Sequence, residues 1–186
     1  PMNPSPAIVK SHNTKVEERR QRVVSATTEL AIEGGMAAVR SRAICQKAGV
    51  SMGTLYRDFS SLEEILLIGF AEQFRNFGTQ FPNGVAPGDS AIERVENFFT
   101  AATHAMTTEA NYGRAAVSAI AAGQNKAMGS LIELTLLITR LVQSAWTGIP
   151  AMVHGSVTER DVLIAFTLER VWFSVLVGWA SEIQSP

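Results

Sequence analysis

Residues 48–59 read AGVSMGTLYRDF. Gly49 and Gly53 interrupt the stretch too often for one long helix. Leu55 and Phe59 stand four residues apart, the spacing of one helical face, while Tyr56 and Arg57 fall on its other side. Ser51 is a good N-cap for such a short helix. Just upstream, Ser41 to Ala48 forms a second short helix with Ile44 and Ala48 inward, and Gly49 ends it. Helix, glycine turn, helix is the helix-turn-helix pattern. Ile44, Ala48, Val50, Leu55 and Phe59 form its inner face, which leaves Ser51, Met52, Gly53, Thr54, Tyr56 and Arg57 outward or along the rim.

That outward set suits DNA. A capped helix start offers N–H groups to phosphate. Gly53 permits close backbone approach, and the Thr54 and Tyr56 hydroxyls can donate to phosphate oxygens. Arg57 can reach a phosphate or a guanine edge. Arg40 and Arg42 open the preceding helix and can hold backbone. The charge distribution agrees with this. Residues 1–60 hold nine Lys or Arg against five Asp or Glu, net +4, whereas the remainder carries −5. A basic head on an acidic body presents one end to an anion.

Working outward, Lys15 to Glu33 places Val16, Val23, Val24, Thr27, Leu30 and Ala31 on one helical stripe, with Gly34-Gly35 as its stop. Residues 1–14 (PMNPSPAIVKSHNT) read as a disordered arm. Ser60 and Ser61 precede Glu63 and Glu64 by three residues, the spacing of a capping box, so a helix starts there and runs to about Phe77. Residues 81–90 are a Pro- and Gly-rich loop. Further helices are expected near 90–108, 111–123, 126–147 and 158–182. No period-2 pattern and no internal repeat is visible. The fold class is therefore all-α: a small three-helix head over 15–60, joined through the next helix to a larger helical bundle over 61–186.

The last helix, DVLIAFTLERVWFSVLVGWA, is apolar on almost all sides and so needs burial all round: one face on its own bundle, the other on a second chain, a ligand cavity or a further piece of this chain, which points to an oligomer. No stretch approaches the roughly 20 apolar residues of a bilayer span, Val171 to Ala180 being too short. No membrane partner is expected. The chain has 186 residues, 46% hydrophobic and 18% charged, ample for a folded core. Its one cysteine, Cys45, excludes an internal disulfide, suits a reducing cytoplasm, and reads as a small core residue. His12, His104 and His154 have no companions at metal-ligand spacing, so no metal site is expected. No nucleophile–base pair, P-loop or dinucleotide fingerprint appears, which argues for no cofactor and against an enzyme. The bundle is rich in aromatic and Met residues. Phe98, Phe99, Tyr112, Met128, Trp172 and Phe173 are candidates to line an apolar effector site, with Asn111, Arg114 and Gln143 as possible polar anchors.

The segment RRQRVVSATTELAIEGGMAAVRSRAICQKAGVSMGTLYRDFSSLEEILLIGF, residues 19–70, resembles the DNA-binding head of TetR-family transcriptional regulators. The resemblance implies a homodimeric repressor on a pseudo-palindromic operator, released when a small hydrophobic effector fills the bundle. It places the recognition helix on Ser51 to Phe59, with Gly53, Thr54, Tyr56 and Arg57 at DNA-facing positions. Two positions depart from the pattern: Arg40 stands where the family often has Thr, and Leu62 where it often has Lys. TERDVLIAFTLERVWFSVLVGWA, residues 158–180, is similar to the actinobacterial steroid-catabolism repressors of this family, which implies a sterol-derived effector carried as a coenzyme A thioester. The family usually carries one more C-terminal helix, which this sequence does not include. The rival reading from the residues alone is a helical small-molecule-binding or interaction protein without specific DNA binding.

Overall fold

The computed structural model describes residues 6–122, 127–151 and 157–182, with side chains from residue 14 onward. Among these residues there are eight α-helices and no strand: α1 (Pro6–Ala38), α2 (Ser41–Ala48), α3 (Met52–Asp58), α4 (Leu62–Thr79), α5 (Ala91–Thr108), α6 (Ala110–Ala122), α7 (Met128–Thr147) and α8 (Glu159–Ala180). A 3₁₀ turn, Pro82–Gly84, lies in the expected loop.

The first helix corrects the reading of its start. It begins at Pro6, so residues 6–14 are helical where an arm was expected. A proline in the first turn costs no hydrogen bond and presets the helical φ. Residues 1–5 lie outside the described set. The expected stop at the glycine pair is present as a break in helical geometry, with Gly34 at φ −144° and Gly35 at φ 62°. The positive φ at Gly35 is the conformation that glycine alone adopts cheaply.

Side-chain caps set the starts of the later helices. Ser61 accepts from the Glu64 N–H at 3.1 Å. The Glu64 carboxylate reaches back to Ser60, one residue before the cap, and accepts from its N–H and hydroxyl at 2.6 Å each. Ser90 with Glu93 and Thr158 with Asp161 form complete capping boxes on α5 and α8.

The head core is Val23, Val39, Ile44, Leu55 and Phe59, each buried. α4 leads out of it and supplies the centre of the bundle with Leu66, Phe70 and Phe74. Leu62, where a phosphate-binding Lys would have stood, packs half-buried against that core. From α4 a chain of edge-on and tilted rings crosses the bundle: Phe70–Phe74 at 5.1 Å, Phe74–Trp172 at 6.2 Å, Trp172–Phe99 at 5.6 Å and Phe99–Phe98 at 5.2 Å. Such pairs add roughly 0.5–1.5 kcal/mol each beyond burial.

α8 is two-faced. Ala165, Glu169, Trp172, Leu176 and Trp179 are buried, at alternating spacings of four and three, against the rest of the bundle. Val162, Leu163, Phe166, Val171 and Val175 are exposed, beside the exposed Met128, Ile132 and Leu136 of α7. As a continuous 22-residue helix, α8 is long and apolar enough to cross a bilayer by length and composition, and only 28% of its most apolar stretch is buried. This corrects the expectation that no such stretch exists. The charges at 169 and 170 interrupt the apolar run in sequence without shortening the helix.

Candidate nucleic-acid interface and effector cavity

α3 is short and firmly seated. Ser51 accepts from the Thr54 N–H at 3.1 Å and shares a hydroxyl hydrogen bond with Thr54 at 3.0 Å. Leu55 and Phe59 anchor the helix from beneath. Its C-terminal end is clamped from α1: Arg19 Nε donates to Asp58 at 2.7 Å, Arg20 donates to the Asp58 carbonyl, and the Arg20 guanidinium lies 4.3 Å from the Phe59 ring centre. α2 is held in turn by Lys47, which pairs with Glu29 and Glu33 of α1 at 3.0 Å each. These carboxylates push the Lys47 ammonium above its ordinary pKa.

On the opposite side Ser51, Met52, Gly53, Tyr56 and Arg57 are exposed, and Thr54 is half-buried. Arg40 and Arg42 are exposed at the head of α2. Arg40 donates to the Ala37 carbonyl at 3.0 Å, which closes the turn into α2. Arg57 is partly engaged, donating to Asp58 at 3.2 Å. The Tyr56 hydroxyl is engaged too, at 2.6 Å from that of Ser41. Gly53 is not demanded by the fold, since the nearest atom to an added Cβ is the Ser51 Oγ at 3.9 Å. A glycine inside a helix costs about 1 kcal/mol relative to alanine. Cys45 is buried as expected, its thiol 3.5 Å from the Met52 sulfur, and burial pushes its pKa up.

Comparison with known proteins bears on the whole chain. The sequence description of the bacterial regulatory proteins of the tetR family matches residues 23–67, from α1 into α4. The HTH-type transcriptional repressor KstR of Rhodococcus jostii (strain RHA1) is 31% identical over 169 residues, covering 91% of this chain and 76% of that protein. The chain belongs to the TetR family. KstR of Mycobacterium tuberculosis (strain H37Rv) is 28% identical over 165 residues, 89% of this chain and 72% of that protein. These are the actinobacterial relatives that residues 158–180 were expected to resemble. The crystal structure of a TetR transcriptional regulator from Rhodococcus sp. RHA1 superposes with a TM-score of 0.78 at 23% identity, over 92% of this chain and 88% of that one, and so shares the fold.

The TetR-family bundle has little open space here. One cavity of about 20 Å³ is lined by Glu169, Trp172 and Phe173 with Phe70, Met106, Thr135 and their neighbours. A second, of about 40 Å³, is lined by Tyr112, Gln73, Phe74 and Phe77, again with Phe70 and Met106. The expected effector residues thus divide. Trp172, Phe173 and Tyr112 line a cavity. Phe98 and Phe99 line neither and belong to the ring chain. Met128 is 45% exposed at the start of α7. Nor do the suggested anchors point inward. Asn111 donates to the Ile32 carbonyl at 3.2 Å, tying α6 to the end of α1. Arg114 pairs with Glu182 and lies 5.4 Å from the Trp179 ring centre. Gln143 is half-buried and lines neither cavity. His104 is exposed, His154 lies outside the described residues, and the side chain of His12 does too.

Two buried polar groups stand out here: Glu169, which the sequence reading did not assign to the site, and Tyr112, which it did. Glu169 is buried, and its carboxylate accepts from the Thr139 hydroxyl at 2.9 Å. Burial raises its pKa, with the Thr139 bond and the nearby Arg170 charge opposing. The Tyr112 hydroxyl is buried at the junction of α1, α4 and α6 and has no hydrogen-bond partner. Burial pushes its pKa up to about 12, with the nearby Thr28 hydroxyl opposing the rise and the Glu72 charge adding to it. The four–three spacing of 165, 169, 172, 176 and 179 was the available signal for Glu169, because it puts the carboxylate on the same stripe as Trp172 and Leu176.

Proposed function

We propose that this chain is a DNA-binding transcriptional repressor that acts as a homodimer and responds to an apolar effector in its C-terminal bundle. The observation that carries the reading is α3 itself. It is bolted to the head by Leu55, Phe59 and Asp58, and turns a polar, glycine-containing face outward beside Arg40 and Arg42. The names of the KstR relatives, which describe repressors, support the direction of regulation. Thr54, Tyr56 and Arg57, with Ser51, Met52 and Gly53, are assigned to the operator. Residues 15–60 form the head and 61–186 the effector and dimer unit.

The homodimer reading is supported by the exposed apolar strip on α7 and α8. A strip of this kind on a water-soluble chain marks an interaction surface. A second copy also gives each half of a pseudo-palindromic operator its own head, about 34–36 Å apart for successive major grooves. Effector release then works by population shift: a ligand that favours another bundle conformation moves the heads off that spacing. The chain needs no cofactor and catalyses no reaction in this scheme, and it works in the cytoplasm.

The test starts from duplexes selected by the purified protein from a random pool. Fluorescence anisotropy on a selected duplex should show affinity falling steeply with salt, because each phosphate contact releases counterions. Arg57→Ala should lower affinity and relax base preference at one position by about 1–3 kcal/mol. A flat salt dependence, or Arg57→Ala binding as wild type, would refute the assignment.

A further inference from the structure

Glu169 is the one charged residue that is buried among the described residues, at 5% exposure. Thr139 supplies a single hydrogen bond to it, on Oε2, and no other described residue donates to the carboxylate. An ionised carboxylate has about four acceptor sites. Burying one with a single partner costs several kcal/mol, and a core built only for stability would place an apolar residue there. Arg170 borders the same cavity as Glu169 but does not neutralise it by contact, since its guanidinium lies over the exposed Phe166 ring at 4.7 Å. The carboxylate is not isolated from open space, because Glu169 forms part of the wall of the smaller cavity.

That cavity, of about 20 Å³, has room for about one water. It is separated from the cavity of about 40 Å³ by Phe70 and Met106, which line both. Methionine is unbranched and repacks easily, so this partition is soft. The smaller cavity has Glu169 and Thr135 in its wall, and the larger has Tyr112 and Gln73.

We propose that the two cavities are the closed halves of one ligand site, in which Glu169 receives a hydroxyl or ammonium donor at the buried end of an otherwise apolar molecule. The proposal rests on the reading of the bundle as an effector domain and adds the chemistry of the buried end. Donors satisfy the carboxylate. A ligand carboxylate in the same place brings no donor and, where Glu169 is ionised, sets like charges together in a dry interior, where repulsion is screened little.

Three probes of equal chain length separate the cases: 1-decanol, decylamine and decanoate, titrated calorimetrically into the full chain. The alcohol and the amine should bind at least about tenfold tighter than the acid. In Glu169→Gln, which keeps shape and removes charge, the three should fall within about threefold of one another. Should that variant fail to fold, the order on the wild-type chain still decides. Binding of decanoate as tight as that of decanol, an unchanged order in Glu169→Gln, or binding of no probe overturns the proposal. Anisotropy on a selected duplex separates this from the broader reading. Probes that bind in the expected order yet leave DNA affinity unchanged would refute the effector reading and leave the site. Release of DNA by decanoate as effectively as by decanol would refute the site and leave the effector reading.

Discussion

The hydroxyls of Ser41 and Tyr56 share a hydrogen bond of 2.6 Å, which joins the first residue of α2 to the exposed face of α3. The bond orients the Tyr56 ring without burying it. The Tyr56 side chain is thus pre-oriented rather than free. Ser41→Ala and Tyr56→Phe should each weaken DNA binding by about 0.5–1.5 kcal/mol, alike on selected and scrambled duplexes. The double variant should lose much less than the sum of the two, as residues acting through one bond do. Additive losses in a double-mutant cycle would mean that the two hydroxyls contact DNA independently.

Gly53 and Gly113 should respond oppositely to alanine. At Gly113 an added Cβ would lie 2.2 Å from the Met106 carbonyl oxygen and 3.1 Å from the Trp179 ring, and a backbone oxygen cannot swing away. Gly113→Ala should destabilise by about 1–3 kcal/mol or more. Gly53→Ala meets open space and should raise thermal stability slightly while weakening DNA binding. Urea melts and anisotropy on the same two variants test both halves.

Asp58 is the joint between α1 and α3. Hydrogen bonding from Arg19, above all, holds its carboxyl below the ordinary value of 3.8, with Arg57 adding to this against the cost of burial. A carboxyl depressed on folding stabilises fully above its unfolded pKa, and the stabilisation disappears as pH falls through the folded value. Asp58→Asn should therefore cost about 1.5–3 kcal/mol at pH 7. The wild-type advantage should vanish under strongly acidic conditions, below that folded pKa. Urea unfolding across that range checks the slope.

Glu169 should behave in the reverse sense. Its folded carboxyl holds its proton to higher pH than the unfolded group, whose ordinary value is 4.5. Above that value the unfolded chain ionises first, so wild-type stability falls as pH rises until the folded group has ionised as well. Glu169→Gln should gain Tm relative to wild type as pH rises above the ordinary value of 4.5, until the folded carboxyl has ionised as well. A Tm difference that does not change with pH would show that the buried carboxylate ionises without penalty.

The outer strip of α8 should govern assembly. Leu163, 64% exposed, and Val171, 59% exposed, carry no intramolecular packing that would compensate for their contact with water. Leu163→Glu with Val171→Glu should convert a dimer into a folded monomer by light scattering, with helical content unchanged. A dimer that survives both changes places the interface elsewhere.

Much of this was legible in the sequence because it depends on local rules. The α2–α3 unit follows from Gly49, the Ser51 cap and the spacing of Leu55 and Phe59, and each of these is visible within a dozen residues. The apolar character of both faces of α8 is visible in DVLIAFTLERVWFSVLVGWA itself. What could not be read is what depends on partners far apart in sequence. Asp58 is spoken for by Arg19, 39 residues away, and Asn111 by Ile32, 79 residues away. Likewise aromatic composition could not separate rings that only stack on one another, such as Phe98 and Phe99, from one that borders a cavity, such as Phe173. The start of α1 was misread because a Pro- and Ser-rich opening suggests an arm, while one proline in a first turn is compatible with helix.

The placement of α4 and α6 has a consequence for protein engineering. Gly69 lets α4 lie against Thr28 and Val24 of α1, and Asn111 of α6 grips the last carbonyls before the α1 kink. A hybrid regulator spliced after Ser60 would leave the transplanted head without both supports and graft a foreign α1 onto a surface cut for this one. Exchanges of operator specificity should therefore be made either by replacing side chains on α3 alone, or by carrying the α1-facing residues of α4 and α6 along with the new head.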